Sequence, residues 1–187
     1  MRRFALPAGL APVIGRTLAF VLIFMALQAG WEALRGTWVE RLWIHDVTVG
    51  VATGLINLLT PGVQAVAVGS RITSPGGGLN VLLGCEGTDV LFMLTAAFCV
   101  APLPWRTRWL GWLCGLVWVF ALNQARIAAL FYAFRADREL FHQLHSTAAP
   151  LLMVVLTGLF FHLWLQRGAP QRGFAAPVGD AQVRSRS

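Results

Sequence analysis

Residues 110–134, LGWLCGLVWVFALNQARIAALFYAF, decide the fold. As a helix rising about 1.5 Å per residue, a run of this length covers about 37 Å, more than the hydrocarbon of a bilayer. Arg126 is its one charged side chain. Further apolar runs lie on either side, Thr17 to Leu34 before it, Glu86 to Leu103 before it and Ala148 to Leu165 after it. The whole chain of 187 residues is 57% hydrophobic and 12% charged. A soluble domain of this size carries about twice that charged fraction. The apolar content excludes disorder for the body of the chain, and three cysteines are too few for a disulfide framework. The prediction is an all-α polytopic transmembrane helical bundle of about four spans, plus an amphipathic or fifth helix.

The connections fill in the organisation. Residues 1–15, with Arg2, Arg3, Pro7 and Pro12, read as a short cytoplasmic lead. A cleaved signal peptide is the rival reading of this end, but Trp31, Glu32 and Arg35 follow where a small-residue cleavage site would be needed. Residues 35–46 mix aromatic and charged side chains, as at headgroup depth. In 47–68 the polar residues Thr53, Asn57, Thr60 and Gln64 recur on one stripe, and Pro61-Gly62 interrupts it. This stretch is expected to lie at the interface as an amphipathic helix rather than to span. Residues 69–84 read as a short extended segment with a turn at Ser74 to Gly78. Trp105 to Trp109 forms a tight turn, and Arg135 to Glu139 a polar loop. Residues 1–166 are expected to form a single membrane-embedded domain, and 167–187 a disordered basic tail.

Charge sets the expected orientation. The net charge is +7, and all fifteen basic residues are arginine. They sit in short clusters between apolar runs and form no stripe, so lipid is the expected partner and nucleic acid is not. With the N-terminus inside and 47–68 kept at the outer surface, nine arginines fall inside and six outside. All the acidic residues except Asp180 then fall outside as well. If 47–68 spanned, Arg106, Arg108 and the arginine tail would have to cross. The positive-inside rule prefers the first arrangement.

Three polar residues share a depth. Cys85 immediately precedes the run that ends at Leu103, about 27 Å away as helix. Arg126 lies about 26 Å up the returning helix from Trp109. His145 stands just before the final run, on the same side. Each has an ordinary explanation: a buried small hydrophobe, a snorkelling guanidinium, an interfacial imidazole. Yet Cys85 opens a helix, where free N–H groups and the helix dipole favour a thiolate. Arg126 is costly in hydrocarbon. Asn123 lies three residues earlier on the same helical face, so amide and guanidinium together look like a donor site for a carbonyl oxygen or a carboxylate. Cys99, Cys114 and His162 lie toward the opposite face and read as core cysteines and an interfacial histidine. His142-x-x-His145 lacks further ligands at metal spacing, so neither metal nor cofactor is expected. Glu86 and Asp89 read as stabilisers of the helix start, with a role in orienting the histidine as the alternative. A thiolate, an imidazole and a guanidinium at one membrane surface suit acyl transfer.

Gly84-Cys85-Glu86-Gly87 opening a membrane helix, then Asn123-Gln124-Ala125-Arg126, then His145 at the last span, resembles the exosortase/archaeosortase family. The resemblance covers roughly residues 47–166. It implies a membrane cysteine protease or transpeptidase with Cys85 as nucleophile, Arg126 as a catalytic arginine and His145 as third member. His145 is preferred to His142 because Pro150 follows at the start of the last span, as the pattern suggests. The family implies a protein substrate with a C-terminal sorting signal: a short motif such as Pro-Glu-Pro, a transmembrane segment and a basic tail. Cleavage would take place at the extracytoplasmic side of a bacterial inner membrane, often beside exopolysaccharide synthesis. The competing class is a non-catalytic membrane protein, either a scaffold or a small transporter subunit that binds an anion through Arg126.

Overall fold

The structure, a computed structural model, describes residues 10–81 and 85–168. The lead at Arg2 and Arg3, Gly84 of the cysteine motif, and the expected tail beyond Gly168 lie outside the described residues. The architecture is an all-α polytopic bundle. Four helices are long and apolar enough to cross a membrane: Leu10–Ala33, Trp38–Leu59, Trp105–Ala136 and Arg138–Gly168. Helix Thr88–Val100 is apolar but shorter.

Helix α1 (Leu10–Ala33) is apolar all round and buries no residue completely, which suits a helix whose outer face is solvated by lipid. The next helix begins as α2 (Trp38–Arg41), passes through a π-helical stretch at Leu42–Gly50 and ends as α3 (Val51–Leu59). Against the interfacial reading, Thr53 and Asn57 of its polar stripe bond to backbone, while Gln64 stays exposed. Thr53 Oγ1 donates to Val49 O, and Asn57 exchanges two 2.8 Å hydrogen bonds with the backbone of Ala65. Those bonds stop the helix and turn the chain. Trp43 packs on Phe120, and Thr60 Oγ1 lies 2.8 Å from Tyr132 Oη. Both partners belong to the long helix described below, Phe120 at its middle and Tyr132 near its C-terminal end.

Beyond Leu59 the stretch 47–68 leaves the α-helix, with one 3-10 turn at Pro61–Val63. Val66–Val68 is strand β1, followed by β2 (Arg71–Ser74) and β3 (Gly77–Asn80) in an antiparallel sheet of order β1-β2-β3. Ser74 pairs with Gly77 around Pro75-Gly76, the turn that the sequence marks. The sheet buries Ile72 and Leu79 in one cluster with Ile56, Ile127 and Phe131. Arg135 Nη1 holds the hairpin tip by donating to Ser74 Oγ at 2.7 Å and to Pro75 O at 3.0 Å.

Helix α4 (Thr88–Val100) is 13 residues long, shorter than the apolar run from Glu86 to Leu103. Backbone chemistry trims both ends. Gly87 has φ +79°, and Ala101 is held extended by the proline that follows it. Helix α5 (Trp105–Ala136) then returns for 32 residues. The turn is locked by Arg108, which donates to Ala101 O at 2.8 Å, and by Trp112 Nε1, which donates to Thr95 Oγ1 at 3.1 Å. Gly111 and Gly115, one turn apart, let neighbouring helices approach: the space a side chain would need at Gly115 is filled by Leu94 and Phe160.

The expected polar loop at 135–139 reduces to a single break. Asp137 caps α6 (Arg138–Gln143) by accepting from Glu139 N at 2.9 Å. A π-helical stretch, Leu144–Ala148, continues directly into α7 (Ala149–Gly168). Pro150 cannot donate to the preceding turn, and the wider register just before it absorbs that defect. Trp164 Nε1 donates to Thr107 O at 3.0 Å, and Gln28 Nε2 to Asp89 Oδ1 at 2.7 Å. Helices α1, α4, α5 and α7 therefore alternate in direction. The C-terminal ends of α1 and α5 and the N-terminal ends of α4 and α6 share one face of the bundle.

Candidate active site

Cys85 sits on that face, in the segment between β3 and α4, and is buried. Two side chains reach its sulfur from other elements. Arg126 Nη2 on α5 donates to Sγ at 3.8 Å. The ring of His145, in the π-helical stretch, brings Nδ1 to 3.8 Å and Nε2 to 4.0 Å. The other guanidinium nitrogen, Nη1, touches Met153 Sδ at 3.9 Å, and Nε is buried with no partner among the described residues. Arg126 thus keeps donor capacity for an incoming oxygen. It lines a cavity of 280 Å³ between α5 and the Arg138–Gly168 helix, walled by Leu122, Ala129, Leu152 and Leu156.

Electrostatics at the sulfur oppose one another. Burial pushes the Cys85 thiol above its ordinary range; the Arg126 cation pulls it down, and the Glu86 carboxylate pushes it up. The net direction is upward and favours the thiol, with a cation and an imidazole in reach of the sulfur. Phe141 orients the imidazole: the two rings stack with centroids 5.3 Å apart and planes 11° from parallel.

Asn123 corrects an expectation. It is 2% exposed, and neither of its amide atoms has a partner among the described residues. It does not pair with Arg126. It lies against Gly87, where an added Cβ would come within 2.9 Å of its Cγ. With Glu86, Trp43, Trp112 and Phe120 it lines a separate, mainly apolar cavity of 490 Å³. Three residues along a helix rotate a side chain by about 300°, enough to send neighbours on one stripe into adjoining cavities.

The other candidates separate by position. His142 is exposed, and its ring meets the edge of Phe141. His162 lies 2.9 Å from Gln166 Nε2, toward the far end of α7. Cys99 and Cys114 are exposed on the outer surface of the bundle, not in its core, where lipid can solvate a small apolar thiol. No group of three His, Cys, Asp or Glu side chains able to hold a metal occurs among the described residues.

Two participants escaped the sequence reading. Phe141 was hidden because 135–139 read as loop; a continuous helix makes Phe141 and His145 an i,i+4 pair. Glu86 read as a stabiliser of the helix start, but it is 4% exposed, and its Oε2 has no partner among the described residues. A charged residue directly after the cysteine was the available signal.

Fold and site together define a polytopic membrane protein with a cysteine, a histidine and an arginine gathered at one end of its bundle. A family model described as Transmembrane exosortase (Exosortase_EpsH) matches residues 5–165. The chain belongs to the transmembrane exosortase family. No curated protein and no solved structure matches it. Membership supports a membrane transpeptidase or protease role in general.

Proposed function

We propose that this protein is a membrane cysteine transpeptidase or protease that cleaves C-terminal sorting signals, of the Pro-Glu-Pro type, from surface proteins through a thioester on Cys85. One observation carries this reading: side chains from two other elements, Arg126 and His145, each come within 4 Å of the Cys85 sulfur. His145 accepts the thiol proton as Sγ attacks the scissile carbonyl carbon. The Arg126 guanidinium stabilises the oxyanion of the tetrahedral intermediate. His145 returns the proton to the leaving amine, the C–N bond breaks, and the acyl group stays on sulfur as a thioester. Water or an amine then resolves it. The arginine distribution supports a site at the extracytoplasmic side, and the family resemblance a bacterial inner membrane. The family resemblance adds surface proteins handled beside exopolysaccharide synthesis.

The test is co-expression with a tailed substrate. Cys85→Ala and Cys85→Ser leave the substrate at full length. Processing that survives both changes overturns the reading. An anion-binding transporter subunit would instead be impaired by Arg126→Lys and indifferent to changes at Cys85.

A further inference from the structure

We propose that the cavity between the C-terminal end of α1 and the start of α4 receives a primary amine, which resolves the Cys85 thioester. This deepens the cysteine-peptidase reading above and rests on it. The cavity has a volume of 480 Å³ and is lined by Gln28, Glu32, Arg35, Glu86, Thr88 and Asp89 among others. Three of those side chains are acidic. Glu32 is answered by Arg35, whose Nε lies 2.7 Å from its Oε2. Asp89 accepts one hydrogen bond from the neutral Gln28 amide, at 2.7 Å. Glu86 has less: Thr88 Oγ1 reaches its Oε1 at 3.4 Å, and Oε2 has no partner among the described residues.

A carboxylate that is 4% exposed and half-satisfied is an unstable arrangement without a counter-charge. A ligand cation supplies both the charge and the donors. A primary ammonium offers three N–H groups, and both Glu86 and Asp89 line the cavity as acceptors. The site adjoins the chemistry, because Glu86 is the residue after Cys85 and their Cα atoms are about 3.8 Å apart. It also lies on a different side from the peptide machinery. Arg126 and His145 approach the sulfur from α5 and the Arg138–Gly168 helix, whereas this cavity is walled by α1 and α4. Donor peptide and acceptor amine would then enter without competing for space.

The step balances. The bound ammonium loses one proton to water through the cavity mouth. The free amine attacks the thioester carbonyl. The C–N bond forms, the C–S bond breaks, and neutral His145 takes the amine's second proton. Cys85 leaves as thiolate and takes that proton back from the imidazolium, which restores the thiol and the neutral imidazole for the next cycle.

The test uses the full chain in lipid nanodiscs with a tailed substrate. It reads the ratio of amine-transfer product to hydrolysis product, since both arise from one thioester. Ethylamine, a cation at neutral pH, is compared with hydroxylamine, which is uncharged there. Nanodiscs with and without phosphatidylethanolamine show whether the amine comes from water or from a lipid headgroup; transfer in either arm supports the proposal. Glu86→Gln is expected to lower the ethylamine-to-hydroxylamine product ratio about tenfold, the loss of one charge-assisted hydrogen bond. Asp89→Asn lowers it in the same direction and keeps the test open if the Glu86 variant does not reach the membrane. A ratio unchanged in both variants overturns the acceptor site, as does a wild-type protein that only hydrolyses its substrate in the presence of every amine. Release that persists in Cys85→Ala is a different failure: it removes the peptidase reading itself and this inference with it.

Discussion

The sulfur of Cys85 and Nδ1 of His145 lie 3.8 Å apart, although 60 positions separate them in the chain. Neither residue belongs to the long helix that carries Arg126. The contact therefore depends on how the Arg138–Gly168 helix is set against the segment ahead of α4, and changes to that setting are the sharpest probes of the site.

The pH response of Cys85 has a defined sign. Burial holds its pKa above the ordinary thiol range, so the thiol stays protonated at neutral pH and alkylation by iodoacetamide rises only as pH passes that range. Arg126→Gln removes a lowering influence and moves the alkylation profile to higher pH. Glu86→Gln removes a raising influence and moves it to lower pH. Shifts in the same direction for the two variants would contradict this account of the site.

Phe141 acts on His145 and not on substrate. Removing the stacked ring in Phe141→Ala leaves the imidazole free to leave the sulfur. The processing rate is expected to fall about tenfold, in proportion to the worth of one aromatic pair. Phe141→Tyr keeps the stack and should restore the rate. Equal loss in both variants would argue against a stacking role.

Gly87 holds the cysteine segment by two independent constraints. Its φ of +79° disfavours any side chain, and an added Cβ would press on Asn123 Cγ at 2.9 Å. Gly87→Ala is therefore expected to destabilise the protein by about 1–2 kcal/mol and to slow processing. Combining it with Asn123→Ala relieves only the clash, so melting in detergent should recover part of the loss. Full recovery would show that backbone conformation does not matter there.

Gly115 tests the packing that supports the site. A Cβ at this position meets Leu94 and Phe160, so Gly115→Leu forces α4 and α7 away from α5, at a cost of about 1–3 kcal/mol. Gly158→Leu is the control, because nothing lies within 4 Å of a Cβ there. Unfolding followed in detergent should separate the two variants. Similar melting of both would remove the close-packing argument.

Much of the fold was legible because it follows from local properties. Apolar length and helical rise made a bilayer the solvent, and the same arithmetic brought Cys85, Arg126 and His145 to one depth. What escaped was of another kind. The polar stripe from Thr53 to Asn57 was visible, but nothing local said that Asn57 would bind the backbone of Ala65 and end a helix. Val66–Val68 looked like its continuation; as a strand it is defined by pairing with β2, a partner that a single segment cannot show.

By itself, the order of residues determined that the chain is a helical membrane protein, and that a thiol, a cation and an imidazole lie near one surface. Periodicity and rise are enough for that, since depth along a helix is additive. Only the tertiary structure decided which histidine meets the sulfur, that Asn123 and Arg126 line different cavities, and that Glu86 is buried beside the nucleophile. Those facts depend on the rotation of each helix about its axis and on contacts between elements distant in the chain. Packing sets both, and no local pattern encodes them.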